Sequence, residues 1–201
     1  AEAAASLTAA IGKGFDRLLL DGVTGSGKTE VYFEAIAECL RAGRQALVLL
    51  PEIALTEPSL KRFQARFGCA PVAWHSDLRS SQRRRAWRAI ASGEAKVTVG
   101  ARSALFLPYR ELGLIVVDEA HEPSFKQEDG VQYHPRDVPV MRGKFEDVPV
   151  ILSSATPAIE TRNMVERGRY REPKLAARFA GATLPEICAI DLTQDPPERG
   201  R

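Results

Sequence analysis

The chain has 201 residues, 44% of them apolar, and its 28 basic and 26 acidic side chains leave a net charge of +2. That length carries about one domain with a sizeable core, and so even a charge balance excludes a globally basic nucleic-acid binder: any such site must be local. No run approaches the ~18 apolar residues of a membrane span, and no basic-then-apolar segment opens the chain.

In chain order, the alanine-rich first dozen residues read as a leading helix. Leu18-Leu19-Leu20 is a short apolar run of the kind that forms a buried parallel strand. It delivers Gly22-Val23-Thr24-Gly25-Ser26-Gly27-Lys28-Thr29, which fits the phosphate-binding pattern G-x-x-x-x-G-K-[ST] at every fixed place. The glycines let successive N–H groups converge on a β-phosphate. Lys28 supplies a charge for the β- and γ-phosphates, and Thr29 a hydroxyl for Mg²⁺. A helix starting at about Gly27 and running through Glu30 to Arg41 adds the positive end of its dipole. A strand before the motif and a helical pattern after it set it apart from a glycine-rich turn with a chance lysine.

Further strands are expected at 46–50, 70–74, 96–99, 115–118 and 149–152, after the first at 18–21, with helices between them such as Leu60 to Phe67 and Ser80 to Ala91. This alternation implies a mostly parallel α/β sheet of about six or seven strands, covered on both faces. The fifth strand ends in Asp118-Glu119-Ala120-His121. A carboxylate there stands at the carboxyl edge of the sheet, where open α/β folds bind ligands. Asp118 then suits a Mg²⁺ partner, and Glu119 an orienting group or base for the attacking water. The blander alternative is that the two acids merely cap the next segment.

Two segments bear on a partner. Five arginines fall between Arg79 and Arg88; on a helix Arg84 and Arg88 share a face, while Trp87 and Ile90 would pack inward. A phosphate-contacting patch and a solvated helical face both fit, the second being the commoner use of a charge run. Phe125 to His134 interleaves aromatic, basic and amide groups around Gly130, which suits a loop stacking on bases. Spacing alone leaves that reading level with a surface turn whose Phe125 and Tyr133 are tucked into the core. Cys39, Cys69 and Cys188 form no Cys-x-x-Cys pair, which argues for reduced cytoplasmic thiols and against a cysteine metal site here. After Pro173 periodicity weakens, apart from Ile187 to Ile190, and Pro196-Pro197-Glu198-Arg199-Gly200 reads as a linker.

Asp-Glu-Ala-His is the second motif of superfamily 2 helicases, and the chain resembles that superfamily along nearly its whole length. Pro51-Glu52-Ile53-Ala54-Leu55-Thr56, Gly100-Ala101-Arg102-Ser103-Ala104-Leu105-Phe106 and Ser154-Ala155-Thr156-Pro157 each follow an apolar strand. Their order, with Gly22 to Tyr32, Trp74-His75-Ser76 and His121 to Gln127, is similar to lobe 1 of the bacterial replication-restart (PriA) family. That family usually has Thr where Ala101 stands and Arg where Gln132 stands, which puts two nucleic-acid contacts in doubt.

The resemblance implies a RecA-like P-loop lobe over 1–172, with 173–201 leading towards a second lobe. It implies a DNA-dependent ATPase and 3′-to-5′ helicase that restarts stalled forks, using ATP and Mg²⁺, in the bacterial cytoplasm at the nucleoid. The second lobe, with its arginine fingers and a zinc module, would follow Arg201, and a DNA-binding region would precede Ala1. Zinc is therefore expected only outside this chain, and the isolated lobe is expected to be poorly active. Forked or single-stranded DNA, replication-restart proteins and single-stranded DNA-binding protein are the implied partners, with no membrane. His121, Arg102, Ser103, Phe125, Lys126, Tyr133, His134, Ser154 and Thr156 are the implied coupling or DNA residues. Another superfamily 2 motor, on RNA or in a restriction complex, stays open as an alternative. So does a small-molecule kinase or nucleotide switch, although nothing after Thr156 resembles an acceptor pocket and lid.

Overall fold

A computed structural model describes residues 2–122, 137–175 and 177–178. Helix α1 (Glu2–Thr8) leads into β1 (Arg17–Gly22), α2 (Lys28–Arg41), β2 (Gln45–Leu49) and α3 (Glu57–Phe67). Then come β3 (Val72–Trp74), α4 (Ser80–Ser92), β4 (Val97–Gly100), β5 (Leu112–Val117), α5 (Asp137–Glu146), β6 (Val150–Ser154), α6 (Ile159–Glu166) and β7 (Lys174–Leu175). The strands form one parallel sheet in the order β3-β4-β2-β5-β6-β1-β7.

Parallel strands with both faces covered need apolar side chains at every position, and β2, β4, β5 and β6 are buried throughout. Successive residues alternate between two cores. Leu18, Leu20, Ala46, Val48, Leu114, Val116 and Ile151 face one core with Leu7, Phe33, Ile36 and Phe63. Leu19, Leu47, Leu49, Ile115, Val117 and Leu152 face the other with Ile90 and Leu105. Phe33 of α2 meets Phe63 and Phe67 of α3 edge-on at 4.7 and 5.3 Å between ring centroids. The ion pairs Glu30–Arg62 and Glu34–Arg66 join the same two helices.

Every strand expected from sequence is present, with ends shifted by a few residues. The sheet also has a seventh strand, where loss of periodicity had suggested none. β7 pairs with β1 at Asp21↔Lys174 and Gly22↔Leu175, and two residues are too few to show a period. Trp87 differs from expectation: it is 48% exposed, whereas Ile90 is fully buried. The sheet-facing stripe of α4 runs through Ala86, Ala89 and Ile90, and Trp87, about 60° around the helix from Ile90, falls outside it. Cys39 is a buried free thiol pushed up to about 12 by burial, and Cys69 is free and exposed. Cys188 and the runs at 187–190 and 196–200 lie outside the described residues.

Candidate nucleotide and coupling site

Strand order brings the motifs together. β6 lies between β1 and β5, and the register pairs Leu20 with Ser153, Asp21 with Ser154 and Val117 with Leu152. The carboxyl ends of these three strands therefore set the phosphate loop, the Ser-Ala-Thr segment and Asp118-Glu119 side by side.

The loop begins where β1 ends. A side chain on Gly22 would place a Cβ 2.7 Å from Ser26 Oγ and 2.9 Å from Leu175 Cβ, so only glycine fits there. Gly27 takes a left-handed φ of 85° at the N-cap of α2, with no side chain capping the helix, so first-turn N–H groups remain for a ligand. Ser26 Oγ is buried without a hydrogen-bond partner. Lys28 is 7% exposed, and its Nζ donates to the Gly22 carbonyl at 2.7 Å and the Val23 carbonyl at 3.4 Å. Val23, Thr24 and Gly25 form the exposed crest, while Thr29 is half-buried on the first turn of α2. An orphaned hydroxyl, a caged ammonium and an uncapped helix end fit a polyphosphate.

Asp118 is gripped on both oxygens. Its Oδ2 accepts from Tyr32 Oη at 3.0 Å, and its Oδ1 from Ser153 Oγ at 2.7 Å and from the Glu119 N–H at 3.0 Å. The N–H of Asp118 donates to the Leu49 carbonyl and that of Ala120 to the Ser153 carbonyl, tying the motif to β2 and β6. Glu119 sits at φ 47°, a left-handed conformation in which only glycine is unstrained. Burial and the neighbouring Asp118 push its carboxyl above the usual range, while Lys28 and His121 pull the other way. A carboxylate raised in this way takes up a proton more readily than an ordinary one, as a general base must.

From there the bonds run towards the sheet's Ser-Ala-Thr segment. His121 Nδ1 lies 2.9 Å from Ser154 Oγ and 3.5 Å from Glu119 Oε2, and Ser154 Oγ accepts from the Thr156 N–H at 3.1 Å. Arg102 and Ser103 lie apart from this line, after β4. Ser103 Oγ accepts from the Trp74 indole at 3.1 Å. Arg102 lines a pocket of ≈ 320 Å³ with Pro51, Ile53, Ala101 and Glu122. Ala101 is only 3% exposed. Phe125, Lys126, Tyr133 and His134 lie outside the described residues. Sequence reasoning missed Tyr32 and Ser153. A hydroxyl three residues after Thr29, on an apolar helix face, and a serine beside Ser154 were the available signals.

The family model for DEAD/DEAH box helicases matches residues 2–165, and the chain belongs to that family. It is similar to the "Replication restart protein PriA" of Rickettsia felis, 47% identical over 177 residues, and to that of Bacillus subtilis, 41% identical over 177 residues. Each match takes in 88% of this chain but only 27% and 22% of those relatives, so the chain spans about a quarter of their length. Solved structures share the RecA-like fold. RecG bound to a three-way DNA junction is 23% identical over 80% of this chain and 21% of its own, with TM-score 0.57. The DUF1998 helicase MrfA bound to DNA and AMPPNP is 18% identical over 90% of this chain and 27% of its own, with TM-score 0.61.

Proposed function

We propose that this chain is the ATP-binding lobe of a DNA-dependent ATPase, a 3′-to-5′ DNA helicase that reloads the replication machinery at stalled forks. The observation that carries the reading is the line of contacts Asp118–Ser153 and Glu119–His121–Ser154–Thr156, hydrogen-bonded except for the 3.5 Å approach of His121 to Glu119, set beside the phosphate loop. A group that responds to nucleic acid near Thr156 or after His121 has a short path to the carboxylates. The similarity to replication restart proteins supports the fork as substrate, and the family resemblance supports the polarity, a location at the bacterial nucleoid, and restart proteins and single-stranded DNA-binding protein as partners. The resemblance assigns residues 1–172 to the lobe, to whose sheet β7 adds Lys174 and Leu175, and 173–201 to the approach to a second lobe that carries arginine fingers and zinc.

In this reading Lys28 and the first-turn N–H groups of α2 bind the β- and γ-phosphates, and Ser26 Oγ gains the partner it lacks. Thr29 and Asp118 hold Mg²⁺, whose charge offsets that of the phosphates. Glu119 orients the attacking water and accepts its proton, held in place by its backbone bond to Asp118 and by His121. Arg102, Ser103, Phe125, Lys126, Tyr133 and His134 are the residues that the family resemblance assigns to nucleic acid.

ATP turnover of the whole protein on different nucleic acids tests this. Forked DNA should stimulate hydrolysis at least about tenfold, and Phe125→Ala/Tyr133→Ala should remove most of that gain while nucleotide binding survives, base stacking being worth roughly 1–3 kcal/mol per base. Stimulation by structured RNA and not by forked DNA would point to a different superfamily 2 motor.

A further inference from the structure

Tyr32 closes the Gly22 to Tyr32 segment, beyond the phosphate-binding pattern itself, yet it touches Asp118, one of the two residues assigned to the metal. It is 1% exposed, and its ring lies edge-on to Phe33 at 5.4 Å between centroids. Its hydroxyl donates to Asp118 Oδ2 at 3.0 Å. A tyrosine has one proton. Given to the acceptor-only carboxylate, it ties that oxygen of Asp118 to α2. Burial and the Asp118 charge hold the phenol well above its ordinary titration range, so it stays a donor.

Resting on the reading of Thr29 and Asp118 as the Mg²⁺ residues, we propose that Tyr32 is a positioning residue for the metal. It fixes one oxygen of Asp118 from α2, the helix that also carries Thr29, so that the carboxylate presents its lone pairs in one orientation. Partners of this kind behind metal ligands are commonly worth 10–100-fold in affinity. Ser153 holds the other oxygen of Asp118, so removing the Tyr32 hydroxyl frees one side of the carboxylate without releasing it.

The test is Tyr32→Phe in the whole protein, read as the affinity for a fluorescent, non-hydrolysable ATP analogue with Mg²⁺ and in EDTA. The Mg²⁺ concentration for half-maximal binding should rise roughly tenfold, while affinity in EDTA stays within about twofold of wild type. Mn²⁺ binding to the same complex, followed by electron paramagnetic resonance, should weaken in parallel. A control, Phe33→Leu, alters the same core without touching the hydroxyl; it should lower the melting temperature and leave the Mg²⁺ dependence unchanged. An equal loss with and without Mg²⁺, or an unchanged Mg²⁺ dependence in Tyr32→Phe, overturns the proposal while leaving the nucleotide site intact. A wild-type protein whose nucleotide affinity ignores Mg²⁺ overturns the site reading, and this inference with it.

Discussion

Where β1, β6 and β5 end, buried and half-buried polar side chains are bonded to their surroundings: Lys28 to the loop carbonyls, Asp118 to Tyr32 and Ser153, Ser154 to His121. At the rim, where β3 borders α4, charge lies on the surface. There Arg84, Arg85 and Arg88 line an open groove, and Arg83 alone is pinned, over the Trp74 ring at 5.4 Å and to the carbonyls of His75 and Ser76 at 3.2 Å. The contrast follows from solvation. A buried polar group must be paired or it costs free energy, so its position is fixed, and fixed positions suit chemistry. An exposed charge costs little and is worth little, so it need not hold one geometry.

The largest break in the central cluster is expected from Lys28→Ala. If this buried charge serves the phosphates as proposed, its loss should lower ATP hydrolysis by roughly 10²–10³ and weaken nucleotide binding, measured by steady-state turnover and by titration. On the rim, Gly100→Ala should cost packing and not chemistry. The added Cβ would meet Ala104 Cβ at 2.5 Å and the Trp74 carbonyl at 2.8 Å, a loss of about 1–3 kcal/mol in denaturant unfolding. His121→Ala removes the contact to Ser154 and should cost about 1 kcal/mol; nucleotide affinity should hold while stimulation by DNA falls. Arg84→Ser with Arg88→Ser should stay within about 0.5 kcal/mol in stability and leave nucleotide affinity unchanged, which sharpens the division between the two regions.

The smallest effect has a definite sign. The Glu119 carboxyl is raised in the fold, first by burial and then by Asp118. Its contribution is therefore fully present below the unfolded value of roughly 4.3 and is lost as pH rises through the higher folded value. Glu119→Gln should accordingly melt slightly higher than wild type at pH 7, and the gap should close near pH 4. Melting curves across that range check it.

Much of the central cluster was legible in the sequence because its motifs are contiguous and each follows an apolar strand. Gly22 to Thr29 and Asp118 to His121 could each be placed at the carboxyl edge of a parallel sheet from the apolar strands they follow. What joins them was not legible. Ser153 and Tyr32 reach Asp118 from positions 35 residues later and 86 residues earlier, and no local pattern encodes such a meeting. Trp87 was misplaced because helical spacing gives a face, but not which of two adjoining stripes meets the sheet. β7 escaped because its two residues are recruited by Gly22 and Asp21 of β1, a tertiary cause with no periodic trace.

The central claim is that Glu119 handles the water while Lys28 and the loop hold the phosphates. Single-turnover hydrolysis by Glu119→Gln in the whole protein, with ATP binding measured on the same sample, tests it most directly. Binding within about twofold of wild type and a chemical step slowed by roughly 10²–10⁴ are expected for loss of a general base. Hydrolysis at the wild-type rate, or loss of binding and chemistry together, would contradict it.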